Sequence, residues 1–170
     1  YEKAGPLGKK FDKWYDDLYF NQKTWEKAES KSFEESIDIL LNKSKKKKDD
    51  IDLIIGGDLL NQICASCYGT KKFKRPFLGI YSACATFCSS LITLSNFIQS
   101  KSIKEGIVIT SSHNLSSEKQ FRFPVEYGAH KPNYTTFTTT GSVGVIASKN
   151  PSNIRITSST LGSVVDMGIK

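Results

Sequence analysis

The chain has 170 residues, 38% hydrophobic and 24% charged. That balance fits one folded domain, or half of a larger one, and excludes collagen-like, coiled-coil and largely disordered chains. No apolar run reaches the roughly 18–20 residues of a membrane helix, and Tyr1-Glu2-Lys3-Ala4-Gly5 lacks the basic-then-apolar pattern of a secretion signal. The first residue is not methionine, so the natural start is expected upstream.

The net charge is +7, from 24 basic and 17 acidic residues, a sign that would suit nucleic acid or an anionic surface. Much of the excess is local, in Lys43, Lys45, Lys46, Lys47 and Lys48. The run has none of the interleaved aromatics of a nucleic-acid groove, so it reads as a solvated loop and no nucleic-acid partner is expected.

In chain order, Gly5-Pro6-Leu7-Gly8 marks a turn. Trp25, Ala28, Phe33, Ile37, Leu40 and Leu41 then recur at helical spacing behind Thr24, a suitable N-cap, and the helix ends in the lysine run. Ile51-Asp52-Leu53-Ile54-Ile55 reads as a strand ended by Gly56-Gly57. A second helix is expected from Leu59 to about Lys72. Phe77-Leu78-Gly79-Ile80-Tyr81 follows as a strand after Pro76. A third helix runs from near Cys84 to about Ser100, with Cys84, Cys88, Leu91, Ser95 and Ile98 on one face. Gly106-Ile107-Val108-Ile109-Thr110 is the third strand. The α-β-α-β-α-β alternation implies right-handed crossovers, and the nearly all-apolar strands imply cover on both sides. The fold class expected is therefore α/β, with a mixed, mostly parallel sheet and helices on both faces. Residues 111–137 show no period and are too many for a passive connection, so a functional loop is expected there. Thr138 to Ser148 and Asn153 to Leu161 are β-rich around Lys149-Asn150-Pro151-Ser152-Asn153, which reads as a hairpin.

The four cysteines, Cys64, Cys67, Cys84 and Cys88, have spacing close to that of a zinc ribbon. They lie in helix-like apolar stretches rather than tight turns, so no metal is expected. Without a secretion signal, a disulfide framework is not expected either. Three of the thiols read as small buried hydrophobes. Cys84 differs, because it sits after a strand at the first turn of a helix. There the helix dipole and unsatisfied N–H groups favour a thiolate, an oxyanion or a ligand carboxylate.

Asp58, Cys84 and Ser111-Ser112-His113-Asn114 all follow strand ends. Parallel strands would bring them to one carboxyl edge, where open sheets bind ligands. Asp58 serves equally well as a helix N-cap, and His113 as a base, a donor or a structural histidine. Arg122 and Lys131, in the long loop, are the cations available to an anion.

Several stretches carry a family resemblance: Gly5-Pro6-Leu7-Gly8 with Phe11-Asp12, Asn21 to Glu29, Gly57-Asp58-Leu59-Leu60-Asn61-Gln62, Pro76 to Gly79, Thr110 to Asn114, Glu118 to Pro124, and Glu126-Tyr127-Gly128. The chain resembles the stage V sporulation protein AD family of spore-forming Firmicutes, within the thiolase-like superfamily that includes type III ketoacyl synthases. The resemblance implies a thiolase-like fold of two similar halves. Residues 1–170 would be the first half, without its opening strand and without the second half. It also implies a non-catalytic sporulation protein that binds dipicolinic acid, alone or with calcium, for uptake into the developing spore, with no other cofactor. A homodimer is implied, as are membrane-protein partners from the same sporulation operon and an intracellular location in the forespore, peripheral to the inner spore membrane. The alternative is a cysteine-dependent acyl-transferring or condensing enzyme using Cys84. With Asn61 entering through its motif, the ligand-binding candidates are Asp58, Asn61, Cys84, His113, Asn114, Arg122 and Lys131. The family reads Gly-Ala-Cys-Ser-Thr followed by Met-Glu around the cysteine. This chain departs from it, with Ser82-Ala83-Cys84-Ala85-Thr86 and then Phe87-Cys88.

Overall fold

The structure is a computed structural model that describes residues 10–121 and 138–168. Its elements are α1 (Trp25–Ser44), β1 (Leu53–Gly57), α2 (Cys64–Thr70), β2 (Phe77–Gly79), α3 (Thr86–Gln99), β3 (Glu105–Ser112), α4 (Asn114–Phe121) and β4 (Gly141–Ser148). The sheet has the order β2-β1-β3-β4. β1 is parallel to β2 and β3, and β4 is antiparallel to β3. The mixed, mostly parallel sheet is thus the one its sequence implies.

Side chains of successive strand residues point to opposite faces, and two cores result. On one face Ile54, Ile107 and Ile109 pack with Phe33, Ile37 and Leu41 of α1 and with Phe73. On the other, Ile55 and Val108 pack with Leu94 and Ile98 of α3. Helices therefore cover both faces. The α1 helix begins as expected, with the Thr24 hydroxyl accepting from the Lys27 N–H.

Several sequence expectations change in the fold. Gly56 and Gly57 lie inside β1 rather than ending it. A Cβ at Gly56 would collide with the Ile109 carbonyl, and one at Gly57 with the Ile80 carbonyl, so the close approach of neighbouring backbone requires glycine at both. The second helix starts at Cys64 rather than Leu59, because Gln62 and Ile63 adopt left-handed φ of 60° and 47° and kink the chain ahead of it. On α3 the buried stripe is Thr86, Ser90, Leu94 and Ile98. Cys84 and Cys88 are four residues apart, and both are exposed. The buried-thiol expectation fails more widely, since Cys67 is also exposed and Cys64 only half-buried.

Residues 114–121, expected within an aperiodic loop, form α4. The hairpin is overturned as well. β4 takes β3 as its partner, from Ser112 opposite Gly141 to Glu105 opposite Ser148, and residues 151–168 carry no regular structure and are exposed. Alternation marked 138–148 as a strand but could not name its partner. An eight-residue β3 with one free edge offered a longer ladder than a hairpin around Pro151.

Candidate functional site

Register sets the site. Gly56 pairs with Gly79 and with Ile109, and Gly57 with Thr110. The segments that follow these strands therefore leave one edge of the sheet together, as the sequence implied. What they present differs from residue to residue.

After β2 the chain makes a tight 3-10 turn over Ala83–Ala85 before α3. Ala83 holds a left-handed φ of 44°. Thr86 pins the turn: its hydroxyl donates to the Ala83 carbonyl at 2.8 Å and accepts from the Ser82 N–H at 3.1 Å. No side chain caps α3. Tyr81, Ser82, Cys84 and Ala85 are exposed, so the Cys84 thiol stands open to solvent at the entrance of the helix.

Asp58 is in the expected place but faces inward, 2% exposed. Its carboxylate accepts from the Leu60 N–H at 2.8 Å, the Ser66 N–H at 2.7 Å and the Ser66 hydroxyl at 2.5 Å. These bonds tie the end of β1 to the first turn of α2, which is the capping role. Asn61 is exposed at the start of the kink.

His113 is fully buried. Its Nε2 lies 2.7 Å from the Leu18 carbonyl, which can only accept, so Nε2 carries the proton. Nδ1 accepts from the Ser116 N–H at 3.4 Å, and the ring meets Phe20 edge-on. Asn114 donates from its backbone to the Thr140 hydroxyl and from its side chain to the Thr138 carbonyl. His113 thus ties α4 to Leu18, and Asn114 ties it to the residues ahead of β4, so neither joins Cys84 at the open edge. Arg122 and Lys131 lie outside the described residues.

The sequence reading did not single out Glu29. This α1 residue is fully buried and accepts from the Ser111 hydroxyl at 3.1 Å and the Ser116 hydroxyl at 2.8 Å. Burial, with the nearby charges of Asp58 and Glu26, pushes its carboxyl up to about 7 against those two hydrogen bonds. Spacing held the signal, since Glu29 lies four residues after Trp25 and four before Phe33, in the middle of the apolar stripe. Burial also pushes the Cys64 thiol up, with help from the Asp58, Glu26 and Glu29 charges.

An aromatic groove lies elsewhere, between Phe11, Trp14, Tyr15 and Phe20, α1 and the start of β4. Lys13 and the Tyr15 hydroxyl converge there on Glu35, and none of the expected site residues lines it. Among the described residues no group of His, Cys, Asp and Glu has the arrangement of a metal site, and no helix is long and apolar enough to cross a membrane.

Two solved structures share this architecture. One is 3-oxoacyl-[acyl-carrier-protein] synthase III from Aquifex aeolicus VF5, with a TM-score of 0.51 and 17% identity over 66% of this chain and 35% of that one. The other is the tetronic acid condensing enzyme AbyA1, with a TM-score of 0.52 and 11% identity over 71% of this chain and 35% of that one. At such identities the likeness fixes the fold, which is thiolase-like. Stage V sporulation protein AD of Bacillus subtilis (strain 168) is 45% identical over 168 residues, covering 99% of this chain and 50% of that protein. The chain thus spans about half the length of the curated relative it matches. The family model for stage V sporulation protein AD matches residues 1–170, and the chain belongs to that family.

Proposed function

We propose that the protein binds dipicolinic acid during sporulation, at the carboxyl edge of the sheet. Dipicolinate is a coplanar pyridine dicarboxylate, so it needs N–H donors, cations and a flat wall. The observation that carries the reading is the exposed turn at Ser82, Cys84 and Ala85, which opens onto an α3 start that no side chain caps. Membership of a sporulation family supports it. Asp58 does not fit a calcium ligand, because its carboxylate is buried and engaged by donors from Leu60 and Ser66. Arg122 and Lys131 remain the cations proposed for the carboxylates.

Titration calorimetry of dipicolinate into the full-length protein tests this reading. Arg122→Ala should weaken binding by about 1.5–3 kcal/mol, the range for a hydrogen bond to a charged group, and Cys84→Ala by less, since the backbone donors stay. Cys84→Trp should obstruct the turn and abolish binding. Unchanged affinity in Cys84→Trp would remove the site from this edge.

An acyl-transfer reading is favoured by one observation, the exposed Cys84 thiol beside the left-handed Ala83. Against it, His113 is buried with both ring nitrogens engaged, so it cannot act as the base a thiol nucleophile needs. Acyl mass on Cys84 after incubation with acyl-coenzyme A would establish that reading. Its absence, together with dipicolinate binding, supports the binding protein.

A further inference from the structure

The lysine run does not stand alone in the fold. The opposite, amino edge of the sheet gathers residues 43–52, 71–76, 100–105 and Lys149 through contacts that cross between them. Asp52 accepts from the Lys104 and Glu105 N–H groups. Arg75 pairs with Asp49 at 3.8 Å, and Lys46 with Glu105 at 2.9 Å. The Ile54 N–H donates to the Pro76 carbonyl, and Glu105 lies opposite Ser148, the neighbour of Lys149.

These segments hold twelve basic residues and four acidic ones. The other twelve basic residues of the chain are outnumbered by thirteen acidic ones, of which Asp12, Glu34 and Asp38 pair with Lys43 and Lys72 of these segments, so among the described residues the basic excess lies in these segments. Lysines near the C-terminal ends of α1, α2 and α3 are favoured by the helix dipoles, but that effect needs only a charge or two per helix. Lys45, Lys47, Lys48, Lys71, Lys74, Lys101, Lys104 and Lys149 are all exposed and make no ion pair among the described residues.

We infer that this amino edge is a docking surface for an anionic lipid bilayer. Eleven of the twelve cations are lysine and one is arginine. Lysine is a compact, mobile point charge that suits a diffuse anionic surface, whereas arginine forks suit particular phosphates. The segments contain a single aromatic residue, Phe73, which is buried, so they offer no platform for stacking bases. Juxtamembrane lysines gain attraction from anionic headgroups that falls off within a Debye length. Docked this way, the protein turns its carboxyl edge and Cys84 away from the membrane. The charge placement at this edge is independent of dipicolinate binding at the carboxyl edge.

Co-sedimentation of the full-length protein with phosphatidylcholine vesicles, with and without phosphatidylglycerol, tests it. Binding should require phosphatidylglycerol and fade as salt rises. The quadruple variant Lys45→Gln, Lys47→Gln, Lys48→Gln and Lys74→Gln should lose at least about tenfold in partitioning. Lys23→Gln with Lys27→Gln, at the other end of α1, should leave it unchanged. All these side chains are exposed, and circular dichroism would confirm that each variant is folded. Absence of binding to the anionic vesicles would overturn the proposal, as would equal partitioning of the quadruple variant. Salt-dependent capture of duplex DNA without vesicle binding would overturn it as well.

Discussion

Glu29 gives the sharpest test of how the carboxyl end of the sheet is assembled. An unfolded chain releases this proton near 4.5, whereas the buried native carboxyl holds it to about 7. Between those values the native state binds more protons than the unfolded state, so stability should fall as pH rises from about 4.5 to 7 and then level off. At about 1.4 kcal/mol for each pH unit, the loss is about 3 kcal/mol. Glu29→Gln removes the titration. Its amide oxygen can still accept from Ser116, and its amide nitrogen can donate to Ser111, so the serines keep partners. Urea denaturation across this range should therefore show a sloping stability for the native protein and a flat one for Glu29→Gln. The curves should lie close together near pH 5, with the variant about 2–3 kcal/mol more stable near pH 8. Parallel pH profiles would refute the reasoning, because they would mean that Glu29 is solvated or already ionised in the fold.

Asp58→Ala should cost about 1–3 kcal/mol for each donor it orphans among Leu60 and Ser66, as measured by the same denaturation. His113→Ala should destabilise by about 2 kcal/mol or more, since it empties a buried site and strands the Leu18 carbonyl, and a change in thermal midpoint would show it. Replacing Lys45, Lys47 and Lys48 with glutamine should move stability by no more than about 0.5 kcal/mol, as for other exposed changes. Native-state alkylation followed by peptide mapping should label Cys67, Cys84 and Cys88 ahead of the half-buried Cys64.

Local pattern in the sequence determined the alternation of elements, the parallel central strands and the shared edge after them. These follow from apolar spacing, from the Thr24 cap and from the handedness of crossovers. The family was legible too, because its motifs are contiguous. Tertiary structure decided which polar residues face out. Asp58, His113 and Asn114 stand at strand ends as the pattern implies, yet each is spent on backbone or hydroxyl partners that come from elsewhere in the sequence. The partner of β4 was a long-range choice between two ladders, which alternation does not encode. The same holds for charge. One lysine run in the sequence becomes a continuous basic edge only because three helices end, and three strands begin, on the same side of the sheet. A sequence pattern records which face or end a residue occupies. Burial and pairing depend on what the rest of the chain brings to that place.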